Sequence, residues 1–219
     1  MPKPIRLRVF GDYATFNRPE LKVERYSYDV MTPSAARGIL DAVYYHPGLK
    51  WRIKRIYVER PIRFTNVRRN EVDRKILAYD LLSAANGASE PIYINRREAI
   101  QQRASTILRE VSYVIEANFM LIPEKMDRED NEDKFYAIFC NRARRGKCFT
   151  QPYFGCREFP ASFELVTDEN PPKPIDESRD LGIMLYDMDF SDEKNIQPMF
   201  FHAEMVNGVV DVEGKEVLR

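Results

Sequence analysis

The chain has 219 residues, is 44% hydrophobic and balances 34 Lys and Arg against 34 Asp and Glu. That apolar share is enough for a core and excludes wholesale disorder, and the length suits one large domain or two small ones. No apolar run approaches the roughly 20 residues of a membrane-spanning helix, and Met1-Pro2-Lys3-Pro4-Ile5-Arg6 lacks the apolar stretch of a signal peptide.

Taken in chain order, Ile5 to Phe10 alternate apolar and basic side chains, as a half-buried strand does. Thr32-Pro33 is a helix start, with the hydroxyl as cap and proline in the first turn. Ala36, Ile39, Leu40 and Val43 form one apolar stripe at helical spacing, and His46-Pro47-Gly48 stops that helix. Trp51, Ile53, Ile56, Val58, Ile62 and Phe64 mark one or two strands over 50–64, broken near Pro61. Residues 65–105 read as polar and irregular, with a turn at Asn86-Gly87. Strand character returns over 111–122. A helix over 132–144 buries Phe135, Ile138 and Phe139 and ends in arginines, which suit the negative end of its dipole. Phe159 to Val166 is the next strand. The order to this point is β-α-β-β-α-β, that of a ferredoxin-like (RRM-like) domain, α+β in class, over 1–168. Asn170-Pro171-Pro172-Lys173-Pro174 reads as a stiff linker. Strands at 181–187 and 198–206 and a hairpin at Asn207-Gly208 then predict a small antiparallel sheet domain over 175–219.

Charge is segregated although the net charge is zero. Residues 50–75 hold ten Lys and Arg against three acids, and residues 164–194 hold ten acids against three Lys and Arg. Seven of the ten basic residues are arginine, whose planar fork of donors matches phosphate. A second basic cluster, Arg142, Arg144, Arg145 and Lys147 around Gly146, leads into Gln151-Pro152-Tyr153-Phe154-Gly155-Cys156-Arg157. The glycines allow tight turns and close approach to a ligand, the cations favour a polyanion, and Tyr153 and Phe154 offer faces for an unstacked base. The competing structural reading is a hairpin connection with surface arginines.

Cys140, Cys148 and Cys156 lack the fourth ligand of a zinc site, and a reducing cytoplasm fits them best. No phosphate-cradling glycine motif is present, and Asp187 and Asp189 form the one acidic pair on a strand face, so no cofactor or metal is expected. RNA can be cut without metal. Its 2′-hydroxyl attacks the adjacent phosphate when side chains move the protons, and Tyr44-Tyr45-His46 at the first helix end supplies such groups. His202, in an apolar-rich strand, reads as a packed residue.

Four stretches carry a resemblance. They are Val9 to Phe16, Tyr26 to Ile39, Arg109 to Phe119, and Gln151 to Pro160. In this order the chain resembles the Cas-five family of CRISPR-associated proteins, in particular its subtype I-C branch. The resemblance implies an endoribonuclease that binds the repeat hairpin of precursor CRISPR RNA, cleaves it metal-independently and stays as a subunit of the type I-C antiviral surveillance complex. Its partners would be that RNA and the other subunits, with duplex DNA as a further polyanion. The family's tyrosine at the end of the first helix matches Tyr44. Its lysine and histidine do not carry over, because the corresponding strand reads Glu116-Ala117-Asn118-Phe119. Tyr44, His46 and Asn118 are therefore the catalytic candidates. Arg142, Arg144, Arg145, Lys147, Tyr153 and Arg157 are the RNA-binding candidates. The alternative is a non-catalytic subunit that holds the 5′ end of the CRISPR RNA.

Overall fold

A computed structural model describes residues 4–21, 24–87, 92–192 and 194–219. The amino-terminal residues 1–3 and residues 88–91 of the polar 65–105 stretch lie outside the described residues. The fold is mixed α and β, built on one large and mainly antiparallel sheet. Strand β1 (Ile5–Ala14) leads through the two-residue β2 (Arg25–Tyr26) to helix α1 (Pro33–Val43). Strands β3 (Leu49–Val58) and β4 (Phe64–Val72) follow, separated around Pro61. Helices α2 (Ala78–Ala85) and α3 (Arg96–Ala99) precede β5, a strand of 22 residues from Ile100 to Leu121. Helix α4 (Glu132–Arg144), β6 (Ser162–Leu165), β7 (Arg179–Asp189), β8 (Gln197–Val206) and β9 (Val209–Asp211) complete the chain. Among the described residues, no helix is long and apolar enough to cross a membrane.

The sheet runs β6-β1-β5-β3-β9-β8-β7, with β2 and β4 also paired to β5. Strand β5 is its spine. One edge carries β4 along residues 100–108 and β3 along residues 113–121, and the other carries β1 along 108–117. The stretch 65–105, read as irregular, is therefore most of a two-stranded arm. Its strands are mostly polar and only partly covered, so no clear apolar alternation marks them. The carboxy-terminal strands do not stand apart, because β9 pairs with β3 through Arg55 to Tyr57. Asn207 and Gly208 join β8 to β9 with positive φ of 49° and 72°, as a tight two-residue hairpin requires.

Alternation assigns the two faces. Val111, Tyr113, Ile115, Ala117 and Phe119 of β5 face α1 and α4, where Trp51 packs edge-on to Phe119 and Phe139. Thr32 caps α1 by accepting from the Ala35 N–H, and Asn131 caps α4 by accepting from the Lys134 N–H. The opposite face carries charge. There Arg8 donates to Glu59 and Glu164, and Glu116, only 3% exposed, accepts from Arg6, Arg55 and Tyr57. The proline-rich segment is strapped to this face. The Lys173 N–H donates to Glu59, the Ile175 N–H donates to Val58, and Arg8 donates to the Pro171 carbonyl. Gly38 lies in the middle of α1, where glycine costs roughly 1 kcal/mol against alanine, yet nothing lies within 4 Å of where a Cβ would stand.

Candidate functional site

The end of α1 meets the start of α4 around Phe135. Tyr44 is the residue that closes α1, and its N–H donates to Leu40. Its side chain is turned inward and only 8% exposed, with the ring 6.3 Å from Phe135 and the Arg142 guanidinium 5.6 Å from the ring centre. Burial raises the Tyr44 pKa and nearby Asp130 adds to this, against Arg142 and Lys134. Tyr44 is thus held as a phenol, with its proton in place. His46 packs 4.7 Å from Phe135. Its Nδ1 accepts from the Gly48 N–H at 3.0 Å, so the proton sits on Nε2, which faces Asp130 at 3.5 Å. In this state His46 has a proton to donate and no lone pair to offer.

Asn118 is not brought to this cluster. Phe119 shares the face of Phe135, with rings 6.4 Å apart, and alternation along β5 sends Asn118 to the other face, across from Arg52. Its Oδ1 is buried and accepts no hydrogen bond among the described residues. Beside α1 opens a cleft of about 750 Å³ lined by His46, Lys50, Trp51, Arg52 and Lys125, with Asp187 and Asp189 on its far wall. Of the basic block, Lys50 and Arg52 reach this cleft. Lys54, Arg55, Arg63 and Arg69 are instead paired with Glu213, Glu116, Glu110 and Glu158. Among the described residues, no group of three or more His, Cys, Asp and Glu comes together as a metal-ligand set.

The arginines at the end of α4 divide. Arg142 turns in and donates to the Val43 carbonyl at 3.2 Å, bracing one helix end against the other. Arg144, Arg145 and Lys147 are exposed and make no ion pair among the described residues. Gly146, at φ 62°, ends the helix, with the Lys147 N–H donating to Arg142 and the Gly146 N–H to Ala143. In the loop that follows, Tyr153 is 41% exposed and Arg157 is exposed, but Phe154 is fully buried against Phe16 and Tyr113. The expectation that Phe154 offers a face to a base is therefore corrected. Gly155, at φ 75°, serves the fold as well, since a Cβ there would fall 1.8 Å from the Thr15 carbonyl oxygen. The sequence reading missed a pair of exposed rings, Tyr45 and Phe149, stacked with centroids 6.0 Å apart and 28° between planes. The available signal was a phenylalanine, Phe149, in an otherwise polar and basic loop.

The family described as CRISPR-associated protein (Cas_Cas5) matches residues 5–213. The chain is 48% identical to the "CRISPR pre-crRNA endoribonuclease Cas5d" of Mannheimia succiniciproducens, over 97% of this chain and 96% of that one. It is 34% identical to the protein of the same name from Thermus thermophilus, over 97% and 92%. Among solved structures, the "Crystal Structure of CRISPR-associated Protein" superposes with a TM-score of 0.70 at 21% identity, covering 99% of this chain and 97% of that one. A chain of a "CRISPR RNA-guided surveillance complex" shares the fold at a TM-score of 0.52 and 12% identity, covering 99% and 89%. A match of this extent places the chain in the Cas5 family of CRISPR-associated proteins, in its subtype I-C branch.

Proposed function

We propose that the chain is an endoribonuclease that binds the repeat hairpin of precursor CRISPR RNA, cuts it without metal, and remains in the type I-C surveillance complex beside the other subunits. The observation that carries this reading is the 48% identity, along 97% of the chain, to a curated pre-crRNA endoribonuclease. The architecture is read as a ferredoxin-like core, since β6-β1-β5-β3 with α1 and α4 on one face follows the β-α-β-β-α-β order. Residues 1–168 are assigned to that core and residues 175–219 to a smaller unit joined to it at β9.

RNA backbone lies in the basic cleft beside α1, held by Lys50, Arg52 and Lys125, with Arg144, Arg145, Lys147 and Arg157 extending the grip and Tyr153 offering a ring. The 2′-oxygen forms a bond to phosphorus as the bond to the 5′-oxygen breaks; the 2′-hydroxyl gives its proton to solvent water, and the departing oxygen takes a proton from the protein. Tyr44, held as a phenol, is the donor. His46 is the auxiliary candidate, its Nε2–H placed to donate a hydrogen bond to the phosphate rather than to give up its proton. Asn118 shares the face of its cross-strand partner Arg52 and is assigned to the phosphate beside it, not to the proton step at Tyr44.

The second reading is a subunit that binds the RNA and does not cut it. The observation in its favour is that Tyr44 is nearly buried and His46 has no free lone pair. Incubation of the protein with its cognate repeat RNA in EDTA separates the two. The enzyme cuts in EDTA, and Tyr44→Phe, which keeps the ring and its packing, slows cutting by about 10²–10⁴-fold, the usual worth of a positioned acid. Tight binding by the folded wild type with no product selects the second reading.

A further inference from the structure

A recess of about 520 Å³ lies along the flank of α1 next to the basic cleft, and of its lining the cleavage reading uses Tyr153 alone. Its lining includes Gly38, Asp41 and Tyr45 from α1, Asn17, and Phe149 and Thr150 from the loop after α4. Three features distinguish it from a surface dent. The stacked rings of Tyr45 and Phe149 are 56% and 64% exposed, an unusual placement for two adjacent aromatic side chains without a partner. Gly38 sits in mid-helix, where glycine is unfavourable, with nothing within 4 Å of its missing Cβ. No packing among the described residues accounts for that glycine, and what it provides is room. Asp41, finally, puts a carboxylate at the recess. Its Oδ2 accepts from Arg37 Nη1 at 2.9 Å, and its Oδ1 accepts no hydrogen bond among the described residues.

Flat rings select a flat ligand, and a carboxylate selects an edge rich in N–H donors. Among the RNA bases only guanine presents a ring N–H and an amino group side by side. We propose that this recess holds one unstacked guanine, laid against the Tyr45 and Phe149 rings above Gly38, with its N–H edge donating to Asp41. Thr150 and Asn17 also line the recess and supply polar groups for the remaining polar atoms of the base. The proposal deepens the reading that the chain binds RNA and rests on it. It adds a position at which the RNA is read by base identity.

The test uses the full chain and mononucleotides, so that no cleavage is needed. Titration calorimetry or ligand-observed NMR is run with 5′-GMP, 5′-IMP, which lacks the amino group, 5′-AMP and 5′-UMP. GMP is expected to bind roughly tenfold more tightly than IMP and AMP, the discrimination of a good bidentate contact. Gly38→Met, which fills the recess and suits a helix better than glycine, is expected to abolish GMP binding while the melting temperature holds or rises. Equal affinity for GMP and AMP, or GMP binding that survives in Gly38→Met, overturns the proposal. Repeat-RNA cleavage is assayed separately on the wild type. Loss of that activity with selective GMP binding intact sinks the nuclease reading and leaves the guanine site standing.

Discussion

Glu59 carries more of the stability than its sequence neighbours suggest. It accepts from Arg8 Nε at 2.8 Å and Nη2 at 3.0 Å, from Ser112 Oγ at 2.9 Å and from the Lys173 N–H at 3.0 Å. Burial by itself would raise its pKa, but the Arg8 fork and the Lys173 and Ser112 donors outweigh it and hold the carboxyl below its ordinary 4.5. A group whose folded pKa is depressed stabilises the fold above the unfolded pKa, and that stability is lost as pH falls through the folded one. Glu59→Gln leaves Arg8 with only the more exposed Glu164 as an acidic partner and is expected to cost about 2 kcal/mol at pH 7. The gap from wild type should close below pH 4.5. Urea unfolding of both proteins at neutral pH and in the acid range checks this, and a gap that stays constant across the range rules it out. None of this network was legible in the sequence. The partners of Glu59 stand 51 to 114 positions from it, and only the sheet register brings Arg8, Ser112 and Glu59 together.

At the scale of the element, α4 shows what local sequence can and cannot say. Both of its ends were readable, because Asn131 caps the start and the arginines before Gly146 mark the finish. The same pattern does not reveal that Arg142 is a structural brace while Arg144 and Arg145 project from the surface. Arg144→Ala with Arg145→Ala is expected to leave the fold intact, since Gly146 and the hydrogen bonds of its turn are untouched. RNA binding should weaken and its salt dependence flatten, with the log–log slope falling by about 0.7 for each single-strand phosphate that the variant no longer neutralises. Binding measured at several salt concentrations decides the matter. Unchanged affinity and slope would leave the two arginines as partners of the helix dipole alone. Helix α1 was equally plain in the sequence, but not the division of labour at its end. Tyr44 and Tyr45 are adjacent in the chain, and one is packed against Phe135 while the other stands over a recess.

The whole molecule is organised on β5. Its first half looked irregular because the arm strands are polar and only partly covered, whereas its second half, pressed between β1 and β3, is buried without a break from Val111 to Ala117. Glu110 divides the two halves, with φ at 54°. At about 3.3 Å per residue the strand is roughly 70 Å long. It is therefore the common ruler against which β1, β2, β3 and β4 are all set, and errors on it differ in kind by position. One residue inserted after Gln102 shifts only the arm against β4, where both faces meet solvent. One inserted after Ile115 shifts two neighbours at once and turns Ala117 and Phe119 out of the core, since a one-residue slip exchanges the faces of a strand. The first variant is expected to melt within a few degrees of wild type and the second not to fold, and comparable melting of the two would refute the distinction. The spine thus separates the molecule into a part in which insertions can accumulate and a part in which they cannot, so lineages of this chain are free to differ in the arm while their cores stay in register.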